Sequence, residues 1–450
     1  MEENKVSTKN AMAIIAVALV SFSGIMAETA MNVTFPVLTR YFSTSLNSIQ
    51  WVTTAYLLSV TIMITTSAYL NKRYNTRYLW LASLISFATG TLVGGLASNL
   101  PVLLIGRVLE GVAAGISMPL MFNLIVQLVP RSKIGVWMGI GSMVVSLAPS
   151  FGPTYGGALI DTLGWRSIFF ILLIVPIMSL LLGWKTIDNS KETQANVSFD
   201  VLAFGLLSVS LITALILINQ LENGTVNVLL LVLTIVSLAG FVIRSLTSKQ
   251  TFLNIRLLSN SKFLFLLLPV VLYMFANLGI NLLLPNYSQK ILNTSSFWAG
   301  FSLLPGTLLG GILNPYFGHL YDKHGDRTPL LVGNTIFGIS LLVMAYFTKN
   351  LGIISFIFMY MIFTFGRNMA FSIGMTASID ELSRDKKTDA TAILQSSQMF
   401  MGALGTTVAA LYGAQKSGLA VGFQHFLWLL FFISLIIFVM FFARQKTGNK

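Results

Sequence analysis

The stretch that decides the fold is residues 11–39, which read AMAIIAVALVSFSGIMAETAMNVTFPVLT. Residues from Ala11 to Ala27 carry no charge, and the apolar pattern resumes after Glu28 as far as Val37. A bilayer core of about 30 Å takes about 20 residues of helix. We therefore predict that this stretch is a first membrane span with one acidic residue in its second half.

The acidic residue of this span, Glu28, is a candidate functional residue. A carboxylate inside a bilayer costs at least about 3 kcal/mol on insertion scales, so such a residue usually marks a site. The alternative is that Glu28 lies near the outer end of the span and is hydrated. We favour a function, because nearly every other acid falls in a predicted loop or at a helix end.

The composition is that of a polytopic membrane protein. Hydrophobic residues make up 55% of the 450 positions and charged residues 10%, against about 25% charged in soluble domains. Ten-residue segments of strict alternation are missing, which excludes a membrane β-barrel. The chain has no cysteine, so disulfides and thiolate metal sites are excluded. We predict that the first apolar run is retained as a span and not removed as a signal peptide.

Fourteen apolar runs are long enough to cross a bilayer, and we number them spans 1 to 14. An even number places both termini on one side of the membrane. If that side is the cytoplasm, most of the 28 basic residues lie in inner loops, as is typical of membrane proteins. This distribution explains the net charge of +13, so no nucleic-acid partner is expected. The predicted spans are 11–39, 48–70, 78–98, 101–128, 134–159, 165–186, 199–220, 225–246, 262–285, 297–320, 328–348, 351–377, 389–414 and 423–443.

An internal repeat is visible in two places. Gly106-Arg107 in span 4 returns as Gly366-Arg367 in span 12, and the loop at 70–73 returns at 320–323. Parallel halves related about the membrane normal are a common plan of transporters. We predict an all-α fold of two six-helix halves with two inserted helices, divided into residues 1–186, 187–261 and 262–450.

The loop between spans 10 and 11, GHLYDKHGDR, has the pattern G-x-L-x-D-x-x-G-x-R. It resembles the cytoplasmic loop signature of the major facilitator superfamily. Charges at such a loop can contact neighbouring helix ends and break as the halves rock, which suggests a gating role. The alternative is a solvated turn that only sets topology. In the first-half loop, Lys72 and Asn75 replace the acid and the second glycine. The gating-loop residues are Gly318, Asp322, Gly325 and Arg327.

Span 4 contains a second resemblance. Arg107 and Glu110 fit the family pattern R-x-x-Q-G with Glu in place of Gln. Residues three apart share a helix face, and a buried arginine needs a partner, so we expect the two side chains to pair. In the family this arginine is associated with proton coupling, while the alternative is a structural ion pair.

Span 5 resembles the antiporter signature G-x-x-x-G-P-x-x-G-G, with Ala148 at the first glycine. Prolines bend helices and glycines allow close helix approach, which suits two halves that move against each other. Simple packing is the alternative, and we favour the signature. Its residues here are Gly152, Pro153, Gly156 and Gly157.

Span 1 points to the fourteen-span drug:proton antiporters of this superfamily. Residues 28–36, ETAMNVTFP, are similar to a conserved stretch of that family with Glu28 in place of Asp and Thr34 in place of Ala. The starts of spans 2 and 6 also match, and the staphylococcal multidrug efflux pumps look most similar. Thr53 and Thr54 stand where some relatives carry an aspartate for divalent cations, which argues against a preference for dications.

The resemblance implies a transporter and not an enzyme. It implies proton-coupled export of lipophilic or cationic drugs, such as quinolones, dyes and quaternary ammonium compounds, by alternating access. Glu28 would bind both proton and substrate. The alternatives are an exporter of a lipid or metabolite with the same fold or, less favoured, a membrane-embedded transferase. Predicted substrate-cavity residues are Asn32, Trp51, Thr54, Tyr56, Asn277, Asn281, Gln395 and Gln398.

The remaining expectations concern cofactors, partners and location. No cofactor is expected, since the proton gradient supplies the energy, and no metal site is expected at the three histidines. The partners would be small-molecule drugs, protons and the lipid bilayer, with the protein a monomer. It would be a multi-pass protein of the bacterial cell membrane with both termini cytoplasmic.

Overall fold

The computed structural model describes residues 6–130, 134–188, 199–220, 226–248, 253, 255–380, 382 and 384–448. In this part of the chain every regular element is a helix, and each of the fourteen predicted spans is helical. By length and composition, twelve helices of the described residues are able to cross a membrane. The helices at the two other predicted spans have 30 residues each and pack between the halves.

The first half contains spans 1 to 6. Spans 1, 2 and 6 are each built from more than one helical segment, whereas spans 3 to 5 are single helices. Asn99 caps span 4 by accepting a hydrogen bond from the Val102 N–H, and Pro101 occupies its first turn, where no N–H is needed. The segments are Thr8–Ala30, the 3-10 turn Met31–Thr34 and Phe35–Tyr41 (span 1), Leu46–Ile49 and Trp51–Arg73 (span 2), Thr76–Gly95 (span 3), Leu100–Leu128 (span 4), Ile134–Leu163 (span 5), and Arg166–Leu172 and Ile174–Gly183 (span 6).

The break in span 1 has a simple cause. Pro36 has no N–H, so the carbonyl of Asn32, four residues earlier, loses its helical partner. That carbonyl accepts a hydrogen bond from Asn286 Nδ2 of span 9 at 3.4 Å. The next carbonyl, that of Val33, accepts one from Gln289 Nε2 at 3.0 Å. The proline therefore frees one backbone acceptor, the Asn32 carbonyl, and this carbonyl and that of Val33 connect the two halves.

The inserted helices are span 7, Val201–Gln220, and span 8, Val228–Thr247. They pack on each other, and span 7 also contacts spans 2 and 13. Asn219 of span 7 donates to Asn47 Oδ1 at the start of span 2 at 2.7 Å. Span 7 therefore covers the line along which span 2 of the first half meets span 13 of the second, with span 8 packed against it.

The second half contains spans 9 to 14. Span 9 extends five residues beyond its predicted end, because Pro285 lies within the helix and does not end it. The segments are Ser261–Lys290 (span 9), Ser296–Phe301 and Leu304–His324 (span 10), Arg327–Phe347 with the 3-10 turn Thr348–Asn350 (span 11), Ile353–Asp380 (span 12), Arg384–Gly413 (span 13) and Leu419–Gly448 (span 14).

Equivalent helices pack together in the two halves. In the first half span 1 packs on span 5, and spans 2 and 3 pack on span 4. In the second half span 9 packs on span 13, and spans 10 and 11 pack on span 12. Two seams join the halves, between spans 2 and 13 and between spans 5 and 10. Corresponding spans begin 250 to 253 residues apart, for example Leu46 and Ser296, or Leu100 and Ile353. The loop repeat has this offset, whereas the Gly-Arg repeat, at 260, places Arg367 about two turns further along its helix than Arg107.

Candidate functional site

Glu28 lies inside the protein, at the end of the first helical segment of span 1, and not at a solvated end. Its side chain is 4% exposed, and its Oε1 has no hydrogen-bond partner among the described residues. Four residues earlier, Gly24 lies close to span 2, since a Cβ there would be 3.2 Å from the Tyr56 hydroxyl. Arg107 is close enough to interact electrostatically with Glu28. A buried carboxylate in this setting favours its neutral form, but a nearby cation can hold the charged form.

Arg107 of span 4 is the centre of a buried cluster. Its guanidinium donates to Glu110 Oε2 from Nη1 and to the carbonyl of Val52 from Nε at 3.0 Å. It also lies over the Tyr56 ring, 4.6 Å from the ring centre. Glu110 accepts a second hydrogen bond from Thr91 Oγ1 at 3.0 Å. The expected contact between Arg107 and Glu110 is therefore present, and Glu110 is fully satisfied while Glu28 is not.

The cluster buries an ion pair and two hydrogen-bond donors that have no described partner. Arg107 and Glu110 are both completely buried. Arg107 Nη2 and the Tyr56 hydroxyl have no hydrogen-bond partner in the described part of the chain. The cluster therefore keeps two hydrogen-bond donors that no described protein group satisfies.

The glycines of the span 5 signature lie at helix crossings. A Cβ at Gly152 would be 2.0 Å from Thr29 Oγ1, and one at Gly156 would be 2.6 Å from the Ala30 carbonyl. Both contacts are on span 1, directly beyond Glu28. Because no side chain fits there, span 5 lies against the backbone of the segment that carries the carboxylate.

The other half of the signature contacts span 10. A Cβ at Gly157 would be 2.3 Å from the Ser296 carbonyl, and one at Gly300 would be 2.0 Å from the Pro153 carbonyl. Asp161, at the end of span 5, accepts a hydrogen bond from the Phe297 N–H at 2.8 Å. This seam is closed by backbone contact at the end of the molecule opposite the chain termini.

The predicted cavity residues are dispersed over both halves. Thr54 contacts Thr406 Oγ1 at 3.2 Å across the seam of spans 2 and 13, and Asn32 Oδ1 accepts from Thr53 Oγ1 at 3.1 Å. Asn281 accepts from the Tyr360 hydroxyl at 2.7 Å. Trp51 and Gln395 are half-buried, whereas Asn277 and Gln398 are buried and each has one side-chain atom without a partner. Their role as a cavity lining stays a prediction.

An apolar cavity of about 230 Å³ lies between spans 1, 4 and 5, nearer the termini than Glu28. None of the eight predicted cavity residues lines it. Its walls are aliphatic and aromatic side chains, including Phe22, Met121 and Trp137.

The predicted gating loop forms the connection between spans 10 and 11. Gly318 and Asp322 belong to the helix Leu304–His324, and the Asp322 side chain lies outside what the structure describes. Gly325 ends that helix with φ +68°, a left-handed conformation that favours glycine, and exposed Arg327 begins span 11. The geometry explains the second glycine of the pattern, and the gating role stays a prediction.

This arrangement of two six-helix units with glycine-lined seams is that of a known transporter family. The family model of the Major Facilitator Superfamily matches residues 17–406, and again 307–450. The chain belongs to the Major Facilitator Superfamily. It is accordingly a membrane transporter and not a membrane transferase.

Relatives and solved structures agree with this assignment. The chain is 31% identical over 402 residues to the lincomycin resistance protein LmrB of Bacillus subtilis (strain 168), covering 88% of this chain and 84% of LmrB. It is 27% identical over 331 residues to the multidrug export protein EmrB of Haemophilus influenzae, covering 72% and 65% of the two chains. A bacterial homologue of the human lysosomal transporter Spinster, solved in an inward-facing and unoccupied conformation, superposes with a TM-score of 0.72 at 16% identity over 98% of both chains.

Sequence reasoning missed several partners in this superfamily member. Thr91, Gly24 and Asp161 have no motif that marks them, and each acts through a contact with another helix. Of the three, only Asp161 could have been suspected from the sequence, because it is an acidic residue four positions after Gly157, the last residue of the span 5 signature. Among the described residues, no group of His, Asp and Glu side chains could hold a metal ion.

Proposed function

We propose that this transporter exports lipophilic and cationic drugs in exchange for protons, with Glu28 binding both. The observation that carries the proposal is the Glu28 carboxylate, which is buried and has an oxygen without a partner, beside the ion pair of Arg107 and Glu110, in which both Glu110 oxygens accept a hydrogen bond. Relatives named for lincomycin resistance and multidrug export support drugs as the substrate class. The finer resemblance to staphylococcal pumps remains a prediction.

The proposed exchange depends on competition for one carboxylate. A proton arriving from outside neutralises Glu28 and releases a bound cation, and proton loss to the inside restores the charge that attracts the next cation. Glu110 does not need to titrate, because Arg107 and Thr91 already satisfy it. A one-for-one exchange of a proton for a monocation moves no net charge, so the proton concentration gradient drives it, with about 1.4 kcal/mol for each tenfold difference.

The closed seam of spans 5 and 10 supplies this cycle with one of its gates. With the termini in the cytoplasm, as the basic loops predict, this seam closes the outer end of the molecule. Gly157, Gly300 and Asp161 then belong to an outer gate that must separate before a drug leaves. An exporter of a lipid or metabolite, which is the alternative function, would use the same gate and would differ only in its substrate.

The test is drug-induced proton release from the purified protein, compared between wild type, Glu28→Gln and Glu28→Asp. We expect the glutamine variant to release no protons and to lose active efflux, while the aspartate variant keeps part of both. Asp188→Asn is the matched control, because it removes an exposed carboxylate that pairs with Lys9 at 2.5 Å.

Two outcomes contradict the proposal. If Glu28→Gln released as many protons as wild type, another residue would carry the proton, with Glu110 next in line. If efflux of dyes and quinolones continued after a protonophore collapsed the gradient, the transport would not be proton-coupled.

A further inference from the structure

Arg367, in the middle of span 12, is a second buried arginine that the proposed exchange does not use. It is 8% exposed, and its guanidinium donates to Asn368 Oδ1 from Nη2, while Nε has no partner among the described residues. The Phe371 ring lies 5.6 Å from the guanidinium carbon. An arginine stays charged in proteins, so this is a buried cation with one neutral acceptor.

The contrast with Arg107 shows what is missing. Arg107 has a carboxylate at the third residue along its helix, Glu110, whereas the third residue after Arg367 is Ala370. No ion pair of the described residues includes Arg367. The nearby Tyr360 supplies no charge, because its hydroxyl donates to Asn281 Oδ1 at 2.7 Å.

A charge buried without a counterion is costly, and intramembrane charges face the bundle interior or a transport path. The face of span 12 that carries Arg367 is turned inward. Asn368, the next residue, lies so close to span 10 that a Cβ at Gly310 would collide with its amide. Tyr360, two turns away, reaches Asn281 of span 9. The unpaired guanidinium is thus within the second half, facing the same interior as the polar residues of span 9.

We propose that Arg367, oriented by its hydrogen bond to Asn368, forms an anion-binding subsite that takes the carboxylate of a zwitterionic drug. This rests on the proposed function, since the amine of the same drug would be held by Glu28 in the first half. The free Nε and the Nη groups of arginine match a carboxylate with two parallel hydrogen bonds. A zwitterion that contacts both sites joins the two halves, so its binding favours the occluded arrangement.

The test measures binding of norfloxacin, a zwitterionic quinolone, and of its ethyl ester, which keeps the amine and lacks the carboxylate. The protein is the full chain, purified in lipid nanodiscs. We expect wild type to bind norfloxacin more tightly than the ester by about tenfold or more, the effect of one charge-assisted pair. Arg367→Gln should remove this difference, and Arg367→Lys should keep part of it.

A second variant covers the case in which Arg367→Gln does not fold. Asn368→Asp has nearly the same shape and places a carboxylate where Asn368 Oδ1 already accepts from Arg367. Arg367 then has an internal counterion, and the difference between norfloxacin and its ester should disappear with the arginine still present.

The proposal is overturned if wild type does not distinguish norfloxacin from its ester, or if Asn368→Asp keeps the full difference. Because equilibrium binding requires neither a gradient nor turnover, these results are independent of proton coupling. If Glu28 fails the proton-release test, wild type can still bind norfloxacin more tightly than its ester, so the two tests have separate outcomes.

Discussion

A close backbone contact between the halves gives a quantitative prediction for Gly157→Ala. A Cβ at Gly157 would be 2.3 Å from the Ser296 carbonyl oxygen and 2.9 Å from the Phe297 Cα. Neither neighbour is a flexible side-chain end, so spans 5 and 10 must separate by about 1 Å to reach ordinary contact. Such overpacking costs about 1–3 kcal/mol. The closed outer end should therefore lose about 5- to 150-fold in population relative to the open one.

Pulsed electron paramagnetic resonance measures this shift directly. The chain has no native cysteine, so spin labels can be placed at Leu163 and Lys416, which are exposed at this end of opposite halves. Gly157→Ala should move the distance distribution toward longer values and slow dye efflux. Gly205→Ala, where a Cβ meets nothing within 4 Å, is the matched control for the change in helix propensity.

A wild-type distance distribution in Gly157→Ala would refute this reasoning. It would mean that span 5 relaxes locally and that the seam is not limited by the Gly157 contact. A shift of equal size in Gly205→Ala would also refute it, since that residue touches neither half at the seam.

The remaining predictions concern two ion pairs, that of Arg107 with Glu110 and that of Arg244 with Asp200. Glu110→Gln should keep part of the transport activity, because the amide oxygen can still accept from Arg107 while the amide N–H donates to the Thr91 hydroxyl, whereas Arg107→Ala should lose expression or turnover. Complete loss of proton-coupled efflux in normally expressed Glu110→Gln would assign the proton to Glu110. At the start of span 7, desolvation disfavours the Asp200 carboxylate, but the Ala203 N–H and Arg244 outweigh it and lower the pKa of Asp200. This stabilisation is present at neutral pH and is lost as the pH falls through that lowered pKa. In thermal unfolding, Asp200→Asn should therefore be less stable than wild type at pH 7, by about 1 kcal/mol or less, and equal to it in acid. A difference that persists in acid would contradict this.

Much of the helical framework follows from the sequence alone. A hydrophobic run of about 20 residues has few options in a bilayer, because unpaired backbone groups are costly there and a helix satisfies them within one segment. The loop repeat of 250 residues also predicts the offset between corresponding spans, since loops lie at fixed positions relative to helix ends. The pairing of Arg107 with Glu110 is local, and its spacing along one helix is sufficient to predict it.

Contacts between helices could not be predicted from the sequence. Residues 106–107 and 366–367 look equivalent as a dipeptide, yet they lie about two turns apart in the repeat, because a helix can carry the same pair at any depth. Pro36 shows where span 1 bends, but its sequence does not show that Asn286 uses the freed carbonyl.

The site depends on the tertiary structure for the same reason. The sequence determines that Glu28 and Arg367 lie within spans, and hence that each needs a partner or a function. Which of them lacks a charged partner is decided by helix packing: span 4 brings Arg107 near Glu28, whereas no described acid of a neighbouring helix pairs with Arg367, which donates to Asn368 on its own helix. The cost of a buried charge depends on the groups within a few ångströms, and helix packing determines those groups.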